Sequence, residues 1–293
     1  MKLQGSIVAL ITPFKNGKVD ENSLRNLIKW HLEAGTHGIL VLGTTGEAPA
    51  IDMEERKRIM EITLEEAKGK VPLIVGTGTN NTKKVFEYTK LAEEMGFDAA
   101  LIVTPYYNKP SQNGLYEHYS YIAKNTQIPI ILYNVPGRTG VNLLPDTTAR
   151  LSQIENIVAI KEACGDIKQV TELVLKCSKD FTILSGDDFT AYATVMLGGK
   201  GVISVAANVM PKEMSQLMES ALNGDVTKAQ ELNLKLYPLY KAMFVETNPV
   251  PAKTALWLMG KIETPEVRLP LAQLTEKSLE TLKIILKETY NLI

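Results

Sequence analysis

Lys161 stands at the end of an apolar run, in the stretch Asn156–Gly165, NIVAIKEACG. Ile157–Ile160 have the composition of a buried strand, and an ammonium placed directly after them must be partly desolvated, which is costly. Desolvation favours the neutral amine, the form that attacks a carbonyl and makes a Schiff base. The same lysine can instead run its stem along apolar surface and carry its charge out to water. The residues around it decide between the two. Tyr133 also ends an apolar run, and a phenol beside an amine can move protons during imine formation, or simply keep its hydroxyl in water. Arg138 follows Pro136-Gly137, where a guanidinium suits a two-point contact with a carboxylate or an ordinary surface position. Gly43-Thr44-Thr45-Gly46-Glu47 is a glycine-bounded turn without a lysine at P-loop spacing. It reads as a tight turn, or as a cradle in which the Thr44 and Thr45 N–H groups hold a small carboxylate. Together these residues supply an amine, hydroxyls, backbone donors and a guanidinium, the groups needed by a carbonyl substrate that carries carboxylates. His31, His37 and His118 are scattered and form no ligand set, so neither a metal nor another cofactor is expected.

Those groups must be brought together by the elements that carry them. Apolar runs at Ser6–Ile11, Gly38–Leu42, Leu73–Gly76, Ala99–Val103, Ile130–Tyr133, Ile157–Lys161, Phe181–Ser185 and Gly201–Val205 read as strands. Several are apolar at successive positions, as in strands covered on both faces. Amphipathic helical stretches lie between them. Asn22 or Ser23 is placed to open one helix, Asn81 another, and Asp52-Met53-Glu54-Glu55 has capping-box spacing. Eight units of this kind predict an α/β protein with the architecture of a (β/α)8 TIM barrel. Its active site lies at the C-terminal strand ends, where the residues above stand. A doubly wound sheet is disfavoured by the absence of a GxGxxG turn after the first strand. Beyond Lys212 the pattern is helical only, with runs at Glu213–Leu222, Val226–Phe244, Pro251–Met259 and Glu276–Tyr290. The expected organisation is a catalytic barrel over residues 1–224 and a small C-terminal all-helical subdomain over 225–293.

Composition sets the outer bounds. With 32 basic and 33 acidic residues, no basic stripe suggests nucleic acid, and no apolar run is long enough for a membrane span. The N-terminal stretch lacks a signal peptide's apolar region and reads as a strand. Two cysteines, Cys164 and Cys177, make no disulfide framework and fit a reducing, cytoplasmic setting. Cys164, three residues after Lys161, is read as a buried bystander.

GTTGE at Gly43–Glu47, TPYYNKP at Thr104–Pro110, YNVPGRTG at Tyr133–Gly140, AIKEACGD at Ala159–Asp166, SGDD at Ser185–Asp188, GVISVAAN at Gly201–Asn208 and ETNPVPAK at Glu246–Lys253 occur in this order. In this set the chain resembles the dihydrodipicolinate synthases, a family of pyruvate-dependent class I aldolases related to N-acetylneuraminate lyase. The resemblance runs through nearly the whole chain. It implies a Schiff base between Lys161 and pyruvate, and a hydroxyl relay of Thr44, Tyr107 and Tyr133, with Tyr107 reaching into a neighbouring subunit. It implies that Thr45 holds the pyruvate carboxylate and Arg138 that of L-aspartate 4-semialdehyde, and that Gly186 and Ile203 border the pocket through backbone groups. It further implies a homotetramer built from tight dimers, a place in lysine (diaminopimelate) biosynthesis, and 4-hydroxy-tetrahydrodipicolinate as product.

Three readings compete. A sugar-acid lyase of the same superfamily, cleaving N-acetylneuraminate or 2-keto-3-deoxygluconate, needs polyhydroxyl contacts where this chain has Arg138. A barrel that binds a small acid without turnover does not require Lys161, Tyr133, Thr44 and Tyr107 together. The synthase reading suits all of them. Family members inhibited by lysine bind it at positions matching Pro49, Met53, Arg56, Asn80, Lys84 and Tyr106. Arg56 and Lys84 place two cations where an ammonium would sit, so inhibition is expected to be weak or absent.

Overall fold

Eight parallel strands close into a barrel, each hydrogen-bonded to its sequence neighbours and the last to the first. The structure is a computed structural model that describes residues 2–293. The strands are β1 Gly5–Ala9, β2 Gly38–Val41, β3 Leu73–Gly76, β4 Ala99–Val103, β5 Ile130–Asn134, β6 Ile157–Glu162, β7 Thr182–Ser185 and β8 Gly201–Ser204. They match the eight apolar runs to within one or two residues. β1 stops short of Ile11 because the Ile11 N–H is taken by the Asn208 side chain at 3.1 Å, not by a neighbouring strand.

The helices α1 Glu21–Glu33, α2 Met53–Ala67, α3 Thr82–Met95, α4 Gln112–Asn125, α5 Pro145–Leu151, α6 Ile167–Lys176, α7 Ala191–Met196 and α8 Pro211–Leu222 follow the eight strands in turn. Then come α9 Val226–Met243, α10 Val250–Leu258 and α11 Glu276–Ile284, the last continued by a π-helical turn over Ile285–Thr289. Asn81 caps α3 as expected, its side chain accepting the Lys84 N–H. α1 is opened by Asp20, not by Asn22 or Ser23: the Asp20 carboxylate accepts from the Ser23 N–H at 3.1 Å and the Ser23 hydroxyl at 2.6 Å. Only half of the capping box forms at α2. Asp52 accepts the Glu55 N–H, but the Glu55 carboxylate turns to the Arg268 guanidinium. A hairpin pairing Phe14–Lys15 with Lys18–Val19 was also missed. Its signal was Asn16-Gly17, both with positive φ, the pair that a two-residue hairpin turn prefers.

Strand periodicity sorts the barrel's side chains. Ile7, Leu40, Ile74, Leu101, Ile131, Ala159, Leu184 and Ile203 form an apolar cluster inside the barrel. Leu132 and Ile160, one residue out of phase on β5 and β6, belong to a separate cluster that includes residues of α4 and α6. On β6, Lys161 lies two residues after Ala159 and therefore faces the lumen, as does Tyr133 two residues after Ile131 on β5. The apolar core also runs without interruption from β1 into α9 and α10, joining Val8 and Val202 to Leu236, Leu239 and Leu256. No helix among the described residues is long and apolar enough to cross a membrane.

Candidate active site

Tyr133 and Lys161 are register partners on adjacent strands and share the lumen at the C-terminal end of the barrel. The Lys161 ammonium lies 4.3 Å from the centroid of the Tyr133 ring. Both residues are buried, at 4% and 6% exposure. Of the two buried lysines in the chain, Lys253 has a carboxylate partner at 2.6 Å and Lys161 has none. Lys161 therefore has no ion pair to give up when it bonds to a carbonyl carbon. Gly186, at the end of β7, forms the wall beside it. A Cβ at Gly186 would lie 2.9 Å from both Cγ and Cε of Lys161, so the absent side chain is the space the lysine stem occupies. Ile203 on β8 is fully buried in the luminal cluster.

A cavity of about 480 Å³ is lined among others by Thr44, Tyr133, Arg138 and Thr139; Tyr133 joins it to the lysine, and Lys161, Gly186 and Ile203 do not line it. The turn after β2 brings Gly43 and Thr44 to its wall, while Thr45 is buried beside them and does not line it. Within that turn the N–H groups of Gly46, Glu47 and Ala48 bond back to the Gly43 and Thr44 carbonyls. Among the described residues those of Thr44 and Thr45 have no such acceptor and remain available to an anion. Gly76 lets β3 end close beneath this turn, since a Cβ there would stand 1.9 Å from the Leu42 carbonyl oxygen. Arg138 projects from the single helical turn Pro136–Thr139 that follows β5. The cavity is also lined by Arg56 and Lys84, and no acidic residue lines it.

Tyr107 is not part of this cavity. Its ring is 88% exposed and its φ is +74°. A tyrosine in the left-handed region costs about 1–3 kcal/mol, so its surroundings must hold it there. The Thr139 carbonyl does so in part, accepting the Tyr107 N–H at 3.3 Å. Within one chain, then, Thr44, Tyr133, Lys161 and Arg138 converge while Tyr107 points away.

A family model described as the dihydrodipicolinate synthetase family matches residues 2–289. The chain belongs to the dihydrodipicolinate synthetase family. It is 54% identical over 284 residues to the 4-hydroxy-tetrahydrodipicolinate synthase of Thermodesulfovibrio yellowstonii, covering 97% of each chain. It is 52% identical to that of Geotalea uraniireducens, over 99% of both. The crystal structure of dihydrodipicolinate synthase from Thermotoga maritima superposes with a TM-score of 0.97 at 48% identity, over 99% of both chains. As a family member at this identity the chain is a lyase.

Residues that stand within the quoted motifs but were given no role from sequence hold this family site together. Asn248, in the segment before α10, is 5% exposed. Its side-chain amide donates to the Thr45 hydroxyl at 3.0 Å, and its backbone carbonyl accepts from the Arg138 guanidinium at 3.2 Å. One residue of the C-terminal helical region thus touches both groups expected to hold carboxylates. Glu47 of the same turn is not at the cavity's reactive end. Its carboxylate is buried against the Lys253 ammonium and accepts the Arg268 N–H at 3.0 Å. Burial brings the Lys253 ammonium down to about 8 even with Glu47 opposing. Cys164 is partly exposed, not buried as expected, and its partial burial pushes the thiol up to about 12. His31 and His118 sit in helices α1 and α4, bonded to Thr36 and Thr82, away from the strand ends.

Proposed function

We propose that the chain is a 4-hydroxy-tetrahydrodipicolinate synthase that condenses pyruvate with L-aspartate 4-semialdehyde in the diaminopimelate route to lysine. The observation that carries this reading is the luminal pair of Lys161 and Tyr133, a buried amine without a counter-ion beside a phenol, in a chain about half identical to named synthases along its length. The uncharged Lys161 amine attacks the ketone carbon of pyruvate, and loss of water leaves an iminium. The iminium draws electrons from the adjacent methyl carbon, which gives up a proton and becomes an enamine. That carbon bonds to the aldehyde carbon of the semialdehyde. The amine of the second substrate then displaces Lys161 and closes the ring. No external cofactor enters, because the lysine imine is itself the electron sink.

The remaining roles follow from position. Tyr133 is the proton carrier at the imine steps, with Thr44 and Tyr107 completing a hydroxyl relay. Tyr107, exposed on its own chain, would complete it in the site of a neighbouring subunit, within a homotetramer of tight dimers. Thr45 and the free N–H groups of its turn hold the pyruvate carboxylate. Arg138 holds that of the second substrate, and Gly186 and Ile203 bound the pocket. We assign residues 1–224 to the catalytic barrel and 225–293 to a helical subdomain, and place the enzyme in the cytoplasm. Borohydride reduction in the presence of labelled pyruvate tests the core of this reading. The label should fix to Lys161 and be absent from a Lys161→Met variant. Failure to label the unsubstituted protein would overturn the proposal. Condensing activity without cleavage of N-acetylneuraminate or 2-keto-3-deoxygluconate separates the synthase from the lyase.

A further inference from the structure

The reaction uses the luminal face of β5 and β6, while the opposite face of the same strand ends holds a buried polar ring that no step requires. The register pair after Tyr133 and Lys161 is Asn134 and Glu162, which face outward. Both are buried, at 0% and 2% exposure. The Asn134 amide donates to the two Glu162 carboxylate oxygens at 3.0 and 3.1 Å. Gln169, from α6, donates to the same carboxylate at 3.1 Å, and the Cys164 N–H does so at 2.8 Å. Asn142 closes the ring. Its side-chain oxygen accepts from Asn134 at 2.7 Å, and its amide donates to the Gln169 oxygen at 2.8 Å.

Two features set this ring apart from ordinary packing. The preceding outward residues on these strands, Leu132 and Ile160, are apolar and belong to the cluster that includes α4 and α6 residues. The polar substitution is therefore confined to the last register pair. A buried carboxylate with its partners is seldom more stabilising than a well-packed apolar side chain, so its presence here points to positioning more than stability. This pair also lies where the backbone ladder runs out, the last bond being Ala163 N–H to the Asn134 carbonyl at 2.8 Å. The β5–β6 register is irregular at the other end, between Ile130 and Ile131. The side-chain ring thus ties the two strand ends together at the point where the backbone ladder stops.

We propose that Glu162, clamped by Asn134 and Gln169, is a positioning residue that fixes the ends of β5 and β6 so that Lys161 and Tyr133 keep the relation needed to form the Schiff base. The inference rests on the proposed function. Glu162 faces away from substrate and acts through the two residues that precede the pair.

The Asn134 and Gln169 amides and the Cys164 N–H donate to the Glu162 carboxylate, so Glu162→Gln keeps the shape of the side chain but brings an amide against other amides. In that variant the rate of borohydride-trappable adduct formation with pyruvate, per folded molecule, should fall roughly ten- to hundred-fold, as expected when reacting groups are misplaced by a fraction of an ångström. If Glu162→Gln does not fold, Gln169→Leu removes one donor from the helix side and should slow trapping about three-fold or more. A purely structural role would lower the melting temperature and leave the rate per folded molecule unchanged. That result would overturn the proposal. An unsubstituted protein that forms no adduct would instead refute the proposed function itself.

Discussion

Gly186→Ala displaces Lys161 without altering its chemistry. The backbone of Gly186 lies outside the left-handed region, so alanine adds no conformational strain there. Its Cβ would meet Lys161 Cε and Cγ at 2.9 Å and Ala163 Cβ at 2.8 Å. Carbon atoms pack comfortably from about 3.5 Å outward, so roughly 0.6 Å must be found. Ala163 is fixed to the strand end through its backbone, which leaves the lysine stem to move. Overpacking of this kind costs about 1–3 kcal/mol in stability. The larger effect falls on the rate. A misplacement approaching 1 Å can cost about a hundred-fold, or roughly 3 kcal/mol of transition-state stabilisation. Three measurements on Gly186→Ala separate these terms: kcat for condensation, the rate of borohydride trapping with pyruvate, and the thermal midpoint. We expect kcat and trapping to fall together by one to two orders of magnitude, with only a modest drop in midpoint. Gly137, in the turn that carries Arg138, has nothing within 4 Å of a would-be Cβ and serves as the control, with Gly137→Ala leaving kcat unchanged. A Gly186→Ala enzyme that traps pyruvate at the parental rate would show that this wall does not hold the lysine.

Asn248→Ala removes the amide that donates to Thr45 but keeps the backbone carbonyl that accepts from Arg138. Loss of one such bond is worth about 1 kcal/mol, so KM for pyruvate should rise roughly five-fold with little change for the semialdehyde. Equal changes for both substrates would contradict the division of roles. L-Lysine at sub-millimolar concentration should leave activity almost intact, because Arg56 and Lys84 line the cavity and no carboxylate does. Strong inhibition in a simple titration would refute that electrostatic argument. Burial holds His31 at about 3 and His118 at about 4, both below the unfolded value. Stability from these neutral histidines is complete above the unfolded pKa and is lost as pH falls toward the folded values, roughly 2 kcal/mol for each at pH 5. Asp188, raised to about 6 by burial, works in the opposite direction over part of the same range. Urea midpoints should therefore fall between pH 7 and pH 5, and a His31→Gln/His118→Gln variant should lose most of that dependence. An unchanged dependence in the variant would assign the effect to other groups.

The barrel was legible because strands buried on both faces are written as unbroken apolar runs, and eight of them at βα spacing leave few alternatives. Lys161 was legible because a lysine that ends such a run either carries its charge out to water or is used there, and the hydroxyls, turn and arginine at the other strand ends favour use. What stayed hidden depends on partners far along the chain. Thr45 and Asn248 are 203 positions apart, and no local pattern announces that one amide will reach one hydroxyl. The capping box at Asp52 had correct spacing, yet Glu55 is drawn away by Arg268, 213 positions on. Tyr107 was readable as an aromatic after β4, but its outward direction follows from a positive φ that sequence does not encode for a tyrosine. The hairpin after β1 was legible in principle from Asn16-Gly17 and was passed over because its strands are only two residues long.

The division between barrel and helices, natural as it is for the elements, does not divide the site. The turn after β2 carries Thr44 and Thr45 on one side and Glu47 on the other. Glu47 is buried and bound only by the Lys253 ammonium and the Arg268 N–H, both from beyond the barrel. Removing those partners would strand a carboxylate inside the protein, a change worth about 3–5 kcal/mol and larger than any cap or surface ion pair. Asn248, from the same region, fixes the Thr45 hydroxyl and contacts Arg138. The strands supply the amine and the phenol, rigidly and by register. The groups proposed to bind carboxylates, Thr45 and Arg138, sit on loops, whose positions the barrel alone leaves soft. On the proposed reading, the C-terminal helices are therefore the part of the fold that holds Thr45 and Arg138 where a lysine in a lumen can serve an α-keto acid and a second carboxylate.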